Sequence, residues 1–216
     1  MSESPRVADP DRFISWYKAH YGISVHEKIS LDQILTHWRL EKQLASEIMA
    51  SSSDTRWQTV EKAYTTLYEQ LHWLNVGPGA AGDFRSWLPL IGDVPQNVLE
   101  IGPGAGGLIK FLADAGHSCT ASEITSQRGS RDDPRISWVR SDGVHLSQFF
   151  PPASFDVLIS DQVIEHLHPN DLEVHFDEVL KVLKKGGKYV FRTSHRWFGP
   201  CDVSLFFDTP VPLGMH

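Results

Sequence analysis

Cysteine is scarce in this chain: two in 216 residues, Cys119 and Cys201. Cys119 lies in a strand-like run, so no disulfide framework is expected, and the pattern fits a reducing, cytoplasmic setting. Positive charge is not in excess. Lys and Arg number 20 against 27 Asp and Glu, a net charge of −7. No global field therefore draws the chain to nucleic acid or to an anionic membrane surface. No apolar run is long enough to span a bilayer, and the opening MSESPRVADP has no signal-peptide pattern. Internal repeats and low-complexity tracts are also missing. The eleven histidines include His166, His168 and His175, but their spacing matches no helical metal site and no Cys lies beside them, so no metal is expected. Hydrophobic residues at 41% and charged residues at 22% exclude a disordered chain. The length suits one α/β domain with an appendage.

Glycine is abundant, and its placement is informative. Residues 98–107 read VLEIGPGAGG. Val98 to Ile101 suit a buried strand. Glycines follow at 102, 104, 106 and 107, and then Leu108, Phe111, Leu112 and Ala115 fall on one helical face. Strand, glycine turn and helix bring bare backbone and a helix N-terminus against a nucleotide-like ligand. About twenty residues on, where a dinucleotide site places its ribose acid, Glu123 ends a second strand-like run from Ser118. That much fits NAD, FAD or S-adenosylmethionine. Glu100, two positions before the first glycine, would repel a pyrophosphate. It would attract a ligand carrying an ammonium and a sulfonium. The charges therefore favour S-adenosylmethionine over a dinucleotide.

The first ~90 residues read as helical. Asp9-Pro10 opens a helix with Phe13, Trp16 and Tyr17 on its apolar side, and Gly22 stops it. Ser30 and Gln33 form a capping-box pattern ahead of Leu31, Ile34, Leu35, Trp38, Ala45, Ile48 and Met49. A third helix follows Ser51–Asp54 and carries Trp57, Val60, Tyr64 and Leu67. Asn75 to Gly82 breaks the pattern, and Phe84 to Leu90 is short and helical. From Asn97 strands and helices alternate. Candidate strands are 97–101, 118–122, 136–140, 155–160 and 188–193, and the clearest helix is 171–184. Alternation of this kind implies a mainly parallel sheet with right-handed crossovers. Only residues 124–135 separate the second and third strands, which leaves room for a short crossover helix or none.

These stretches together resemble class I S-adenosylmethionine-dependent methyltransferases, in the branch acting on small molecules and quinone-like metabolites. The motifs are VLEIGPGAGG, SEIT at 122–125, RSDG at 140–143, SDQVIEHLHPND at 160–171 and KKGGKYVFRTSHRWFGP at 184–200. RWQTVEKAYTTLYEQLHWLN at 56–75 is similar to the helical cap of some of these enzymes. The resemblance implies an α/β, Rossmann-like, mainly parallel sheet of about five strands in the order 3-2-1-4-5. It implies a helical cap over residues 1–90 and an S-adenosylmethionine-binding domain over 91–216. The family's sheet normally adds an antiparallel hairpin beside the fifth strand. This sequence stops where that hairpin would begin, so strand 188–193 is expected on an apolar edge prone to self-association.

The resemblance also implies roles. Gly102, Pro103, Gly104 and Ala105 would pass along the methionine moiety, and Glu100 would face its amino group. Glu123 would hold the ribose diol, Ile124 would lie against adenine, and Asp142 with Gly143 would read the adenine edge. Asp161 and Gln162 would lie near the transferring methyl. His195 is the candidate base, and His166 would pack near the cofactor. Plainer readings stand beside these. Glu123 can be a helix cap and Glu100 half of an ion pair. Asp142-Gly143 is a common turn pair, Asp161 can cap the next segment, and His195 can be a surface histidine. The expected activity is methyl transfer from S-adenosylmethionine, with S-adenosylhomocysteine as product, to an O, N or C atom of a small, apolar or aromatic acceptor. The alternatives are a binding protein that no longer catalyses, or a truncated form, and an NAD-type oxidoreductase.

Overall fold

The computed structural model describes residues 4–74, 84–92, 94–194 and 202–208. The chain divides into two compact units, residues 1–78 with 194–216, and residues 79–193.

The first unit is helical. Helix α1 (Pro10–His20) starts on Asp9, whose side chain accepts the Arg12 N–H at 2.9 Å. Helix α2 (Leu31–Ala50) opens on the expected capping box, with Ser30 and Gln33 each satisfying the other's backbone N–H. Helix α3 spans Ser53–Gln70. Their apolar faces enclose Phe13, Tyr17, Ile34 and Trp38. The segment after residue 202, grouped by sequence with the S-adenosylmethionine-binding domain, packs into this helical unit instead. Val203, Phe206 and Phe207 are fully buried there, and Phe207 stacks on Trp38 with ring centroids 4.9 Å apart. Three large apolar side chains within five residues complete the helical core, which accounts for the placement.

The second unit is a five-stranded parallel sheet in the order β3-β2-β1-β4-β5. Its strands are β1 (Asn97–Ile101), β2 (Ser118–Glu123), β3 (Ile136–Arg140), β4 (Phe155–Asp161) and β5 (Leu183–Arg192). Both faces are covered, as a parallel sheet requires. Along β1 and β4, Val98, Val157 and Ile159 pack with α5 (Gly107–Asp114) and with Trp87 and Ile91, the latter from the short α4 (Leu88–Ile91). Leu99, Ile101 and Leu158 point the other way, toward Val179 and Val182 of α6 (Leu172–Val182).

Two expectations shift at their boundaries. Helix α6 ends at Val182 rather than residue 184, and β5 begins at Leu183 rather than 188. Leu183 pairs with Phe155, an irregularity follows, and pairing resumes at Val157 with Lys188. Gly186 and Gly187 lie within that irregularity, which suits their lack of side chains. Between β2 and β3 there is no helix, as the short spacing implied.

Candidate functional site

The turn after β1 runs across the carboxyl ends of the strands. Gly102, Gly104 and Gly106 have φ of +63°, +58° and +85°, a left-handed conformation that costs an L-residue about 1–2 kcal/mol. Close approach adds a second constraint: a Cβ on Gly102 would lie 2.6 Å from Cγ2 of Val163. The turn leads directly into α5, whose first N–H groups face back toward β1.

Glu123 ends β2 and is buried. Its Oε2 accepts the Gly104 N–H at 3.3 Å, and its Oε1 accepts the Ile124 N–H at 2.9 Å. Burial pushes its carboxyl up, while Arg128 and these two backbone donors pull it down. Arg128 comes from the loop that replaces a crossover helix. Its guanidinium carbon lies 3.3 Å from where a Gly104 Cβ would be. Trp138 of β3 anchors that loop. Its ring lies against Gly129, where an added Cβ would approach to 2.3 Å, and Arg131 stacks over it at 5.0 Å.

Glu100 is 2% exposed. Its Oε2 is buried with no hydrogen-bond partner among the described residues. Burial raises its carboxyl to about 8, Asp161 and Glu123 add repulsion, and the Ile109 backbone N–H opposes the rise. The neighbouring Asp161 is compensated. It receives Arg192 Nε at 2.6 Å and Nη2 as well, from the register partner on β5. The next residue, Gln162, has a φ of +57° and donates its N–H to the Arg192 carbonyl at 2.8 Å. A non-glycine residue in that region at a strand end is a strain that functional sites often carry.

A family profile described as a methyltransferase domain matches residues 99–191. The sheet unit is thus similar to a methyltransferase domain over residues 99–191. An uncharacterized methyltransferase of Anoxybacillus flavithermus is 30% identical over 95 residues, 44% of this chain and 45% of that protein. A solved structure of an S-adenosylmethionine-dependent methyltransferase from Mesorhizobium loti is 24% identical, with a TM-score of 0.45, covering 55% of each chain. The 1,6-didemethyltoxoflavin N1-methyltransferase of Burkholderia thailandensis shares the fold at a TM-score of 0.50 and 16% identity, covering 65% of this chain and 64% of its own. The chain spans about half the length of the first of these relatives.

The chemistry of the groups at these strand ends fits S-adenosylmethionine. An orphaned buried carboxylate oxygen suits an ammonium, and a side-chain-free wall suits a closely held ligand. Just after β3, Asp142 already accepts three hydrogen bonds: Oδ1 from the Val144 and His145 N–H groups at 2.8 Å each, and Oδ2 from the His145 ring at 2.6 Å. A carboxylate has about four acceptor positions, so one remains. The Gly143 N–H points to Ser141 Oγ at 3.2 Å. Pro103 and Gly104 are buried, while Ala105 and Ile124 are half-buried. His166 is exposed on the 3₁₀ turn Ile164–His166 rather than packed, because Ile164 and Glu165 take the inward positions. His195 lies outside the described residues.

Several residues here escaped sequence reading. Arg192 sits opposite Asp161 only because β4 and β5 pair in parallel register, and nothing local in the sequence announces that pair. Glu165 is buried and accepts the Thr193 hydroxyl at 2.9 Å. Arg128 and Trp138 were hidden by the irregular loop. The signal for them is the twelve-residue gap itself, which holds three Arg, one Gly and one Pro and has no helical period.

Proposed function

We propose that this chain binds S-adenosylmethionine at the carboxyl ends of β1, β2 and β4 and transfers its methyl group to a small-molecule acceptor. The observation carrying the reading is the Glu100 carboxylate, buried and with one oxygen unpartnered beside a glycine wall. A dinucleotide would bring phosphate to this point, where it would oppose ionisation of Glu100 and gain no cationic partner from Glu123 or Asp161. An amino-acid ammonium relieves that charge.

S-adenosylmethionine, when bound, supplies an already activated methyl on a positive sulfur. The chain's own work is therefore to hold and exclude. Glu100 takes the ammonium, and the backbone of Gly102–Ala105 lies along the amino-acid tail. Glu123 exchanges Arg128 for the ribose diol, with its two oxygens side by side as a diol requires. Ile124 covers one face of the base, and Asp142 offers its remaining lone pair to the exocyclic amine. Asp161, tied to Arg192, and Gln162 shape the floor near the sulfur. Alignment of acceptor, methyl and sulfur contributes most of the acceleration. A base such as His195 or His166 is needed only where the acceptor must lose a proton. The acceptor proposed is one with apolar or aromatic character.

Titration calorimetry tests this. S-adenosylmethionine and S-adenosylhomocysteine give saturable heats, and NAD gives none. Glu123→Ala, which removes two hydrogen bonds to a charged acceptor, weakens both adenosyl ligands about tenfold to a hundredfold. Binding of NAD in preference to S-adenosylmethionine would overturn the reading.

A further inference from the structure

Behind the Asp142–Gly143 turn lies a buried polar chain that the cofactor reading leaves unused. His175 of α6 is completely buried, and its Nδ1 lies 2.7 Å from the Gly143 carbonyl. Its Nε2 lies 3.0 Å from the hydroxyl of Tyr189 on β5. That hydroxyl lies 2.8 Å from Oγ of Ser160, itself fully buried on β4 one residue before Asp161.

Only one proton arrangement suits the neutral ring. A carbonyl can only accept, so Nδ1 carries the hydrogen. Burial lowers the imidazole's proton affinity, with the Gly143 carbonyl and Asp142 opposing, so the ring is neutral and Nε2 accepts. Tyr189 then donates to Nε2, and Ser160 donates to Tyr189. All three donors run in one direction and end on the Gly143 carbonyl. A relay of this kind polarises each successive bond. It ties the turn to β4, β5 and α6 at once, and it fixes the backbone that immediately follows the Asp142 carboxylate.

The structure assigns His175 and Tyr189 as positioning residues for base recognition: they hold the Asp142–Gly143 turn at the height where it distinguishes a 6-amino purine from a 6-oxo purine. This rests on the S-adenosylmethionine reading. Neither residue touches the ligand. A turn released from Gly143 would still admit the adenosyl group, whose ribose and amino-acid contacts lie elsewhere. It would lose its choice of base.

The test compares S-adenosylhomocysteine with its S-inosyl analogue, in which the exocyclic amine is replaced by oxygen, by calorimetry on the full chain. The wild type prefers the adenosyl compound. His175→Leu and Tyr189→Phe lower that preference at least about fivefold, chiefly by weakening the adenosyl compound. His175→Asn, whose amide nitrogen reaches the position of Nδ1 and restores the donor to Gly143, recovers most of it. Loss of affinity for both compounds in the same proportion, with a lower melting temperature, would show a purely structural role and overturn the assignment. So would an unchanged ratio in Tyr189→Phe, the variant least able to disturb folding. A wild type that binds neither compound would instead remove the cofactor reading, and the assignment with it.

Discussion

Glu100 is the residue where sequence, burial and charge meet. A carboxylate two positions before a glycine turn suits a cationic partner. One carboxylate oxygen has no hydrogen-bond partner among the described residues, and burial raises the group's proton affinity, both of which a cation would offset. The linkage has a definite sign. Below the ordinary value of 4.5 the group is protonated in folded and unfolded chains alike, and its contribution to stability is complete. As pH rises toward about 8 the unfolded chain ionises it freely while the folded chain resists, so stability falls across that window. Glu100→Gln removes this slope and raises the melting temperature of the free protein at pH 8. At pH 7 the group is mostly protonated in the free protein and ionised once an ammonium sits beside it. Binding of S-adenosylhomocysteine therefore releases about one proton, measured by calorimetry in buffers of different ionisation enthalpy. Glu100→Gln should abolish the release and weaken binding. A release unchanged in that variant would remove Glu100 from the site.

Among the elements, strands β1 and β3 match the sequence reading residue for residue, and β2 and β4 differ by one residue each. Their apolar runs are bounded by turn residues, and their register follows the two-residue period of a sheet covered on both faces. The α6–β5 junction departs from the sequence expectation. Lys184 and Lys185 continue a helical pattern, but Leu183 is drawn into pairing with Phe155, a tertiary contact that no local periodicity reveals. The β2–β3 loop was legible only as a gap. Gly129 and Arg131 both pack against the Trp138 ring, and these contacts span chain positions that carry no shared pattern. The candidate site divides the same way. The glycine turn and the acids at strand ends could be read from sequence, while Arg128, Arg192 and the His175 relay needed the packed sheet. A direct comparison checks the loop. Gly129→Ala and Gly116→Ala both place a side chain at positive φ, each at about 1–2 kcal/mol. Only Gly129→Ala also meets a ring at 2.3 Å, while nothing lies within 4 Å of Gly116. Thermal unfolding should show the larger loss for Gly129→Ala, by a further ~1–3 kcal/mol. Equal losses would mean that Trp138 moves aside without consequence.

For the whole molecule, the edge strand and the cofactor cleft set the expectations. β5 is the sheet's outer strand, and beside it Phe191, Phe176 and Leu180 are 46%, 39% and 71% exposed. Phe176, Tyr189 and Phe191 form one aromatic group. An apolar edge of this kind recruits other strands. Sedimentation velocity across a concentration series should show association that Phe191→Lys suppresses, whereas a wild type monomeric at every concentration would remove this expectation. The central claim is the cleft built for a positively charged nucleoside, and a crystal structure of the chain with S-adenosylhomocysteine tests it most directly. The account predicts both ribose hydroxyls on the Glu123 carboxylate, Arg128 displaced from it, and the amino group facing Glu100. An adenosyl group bound elsewhere, with Arg128 still packed against Gly104, would contradict it.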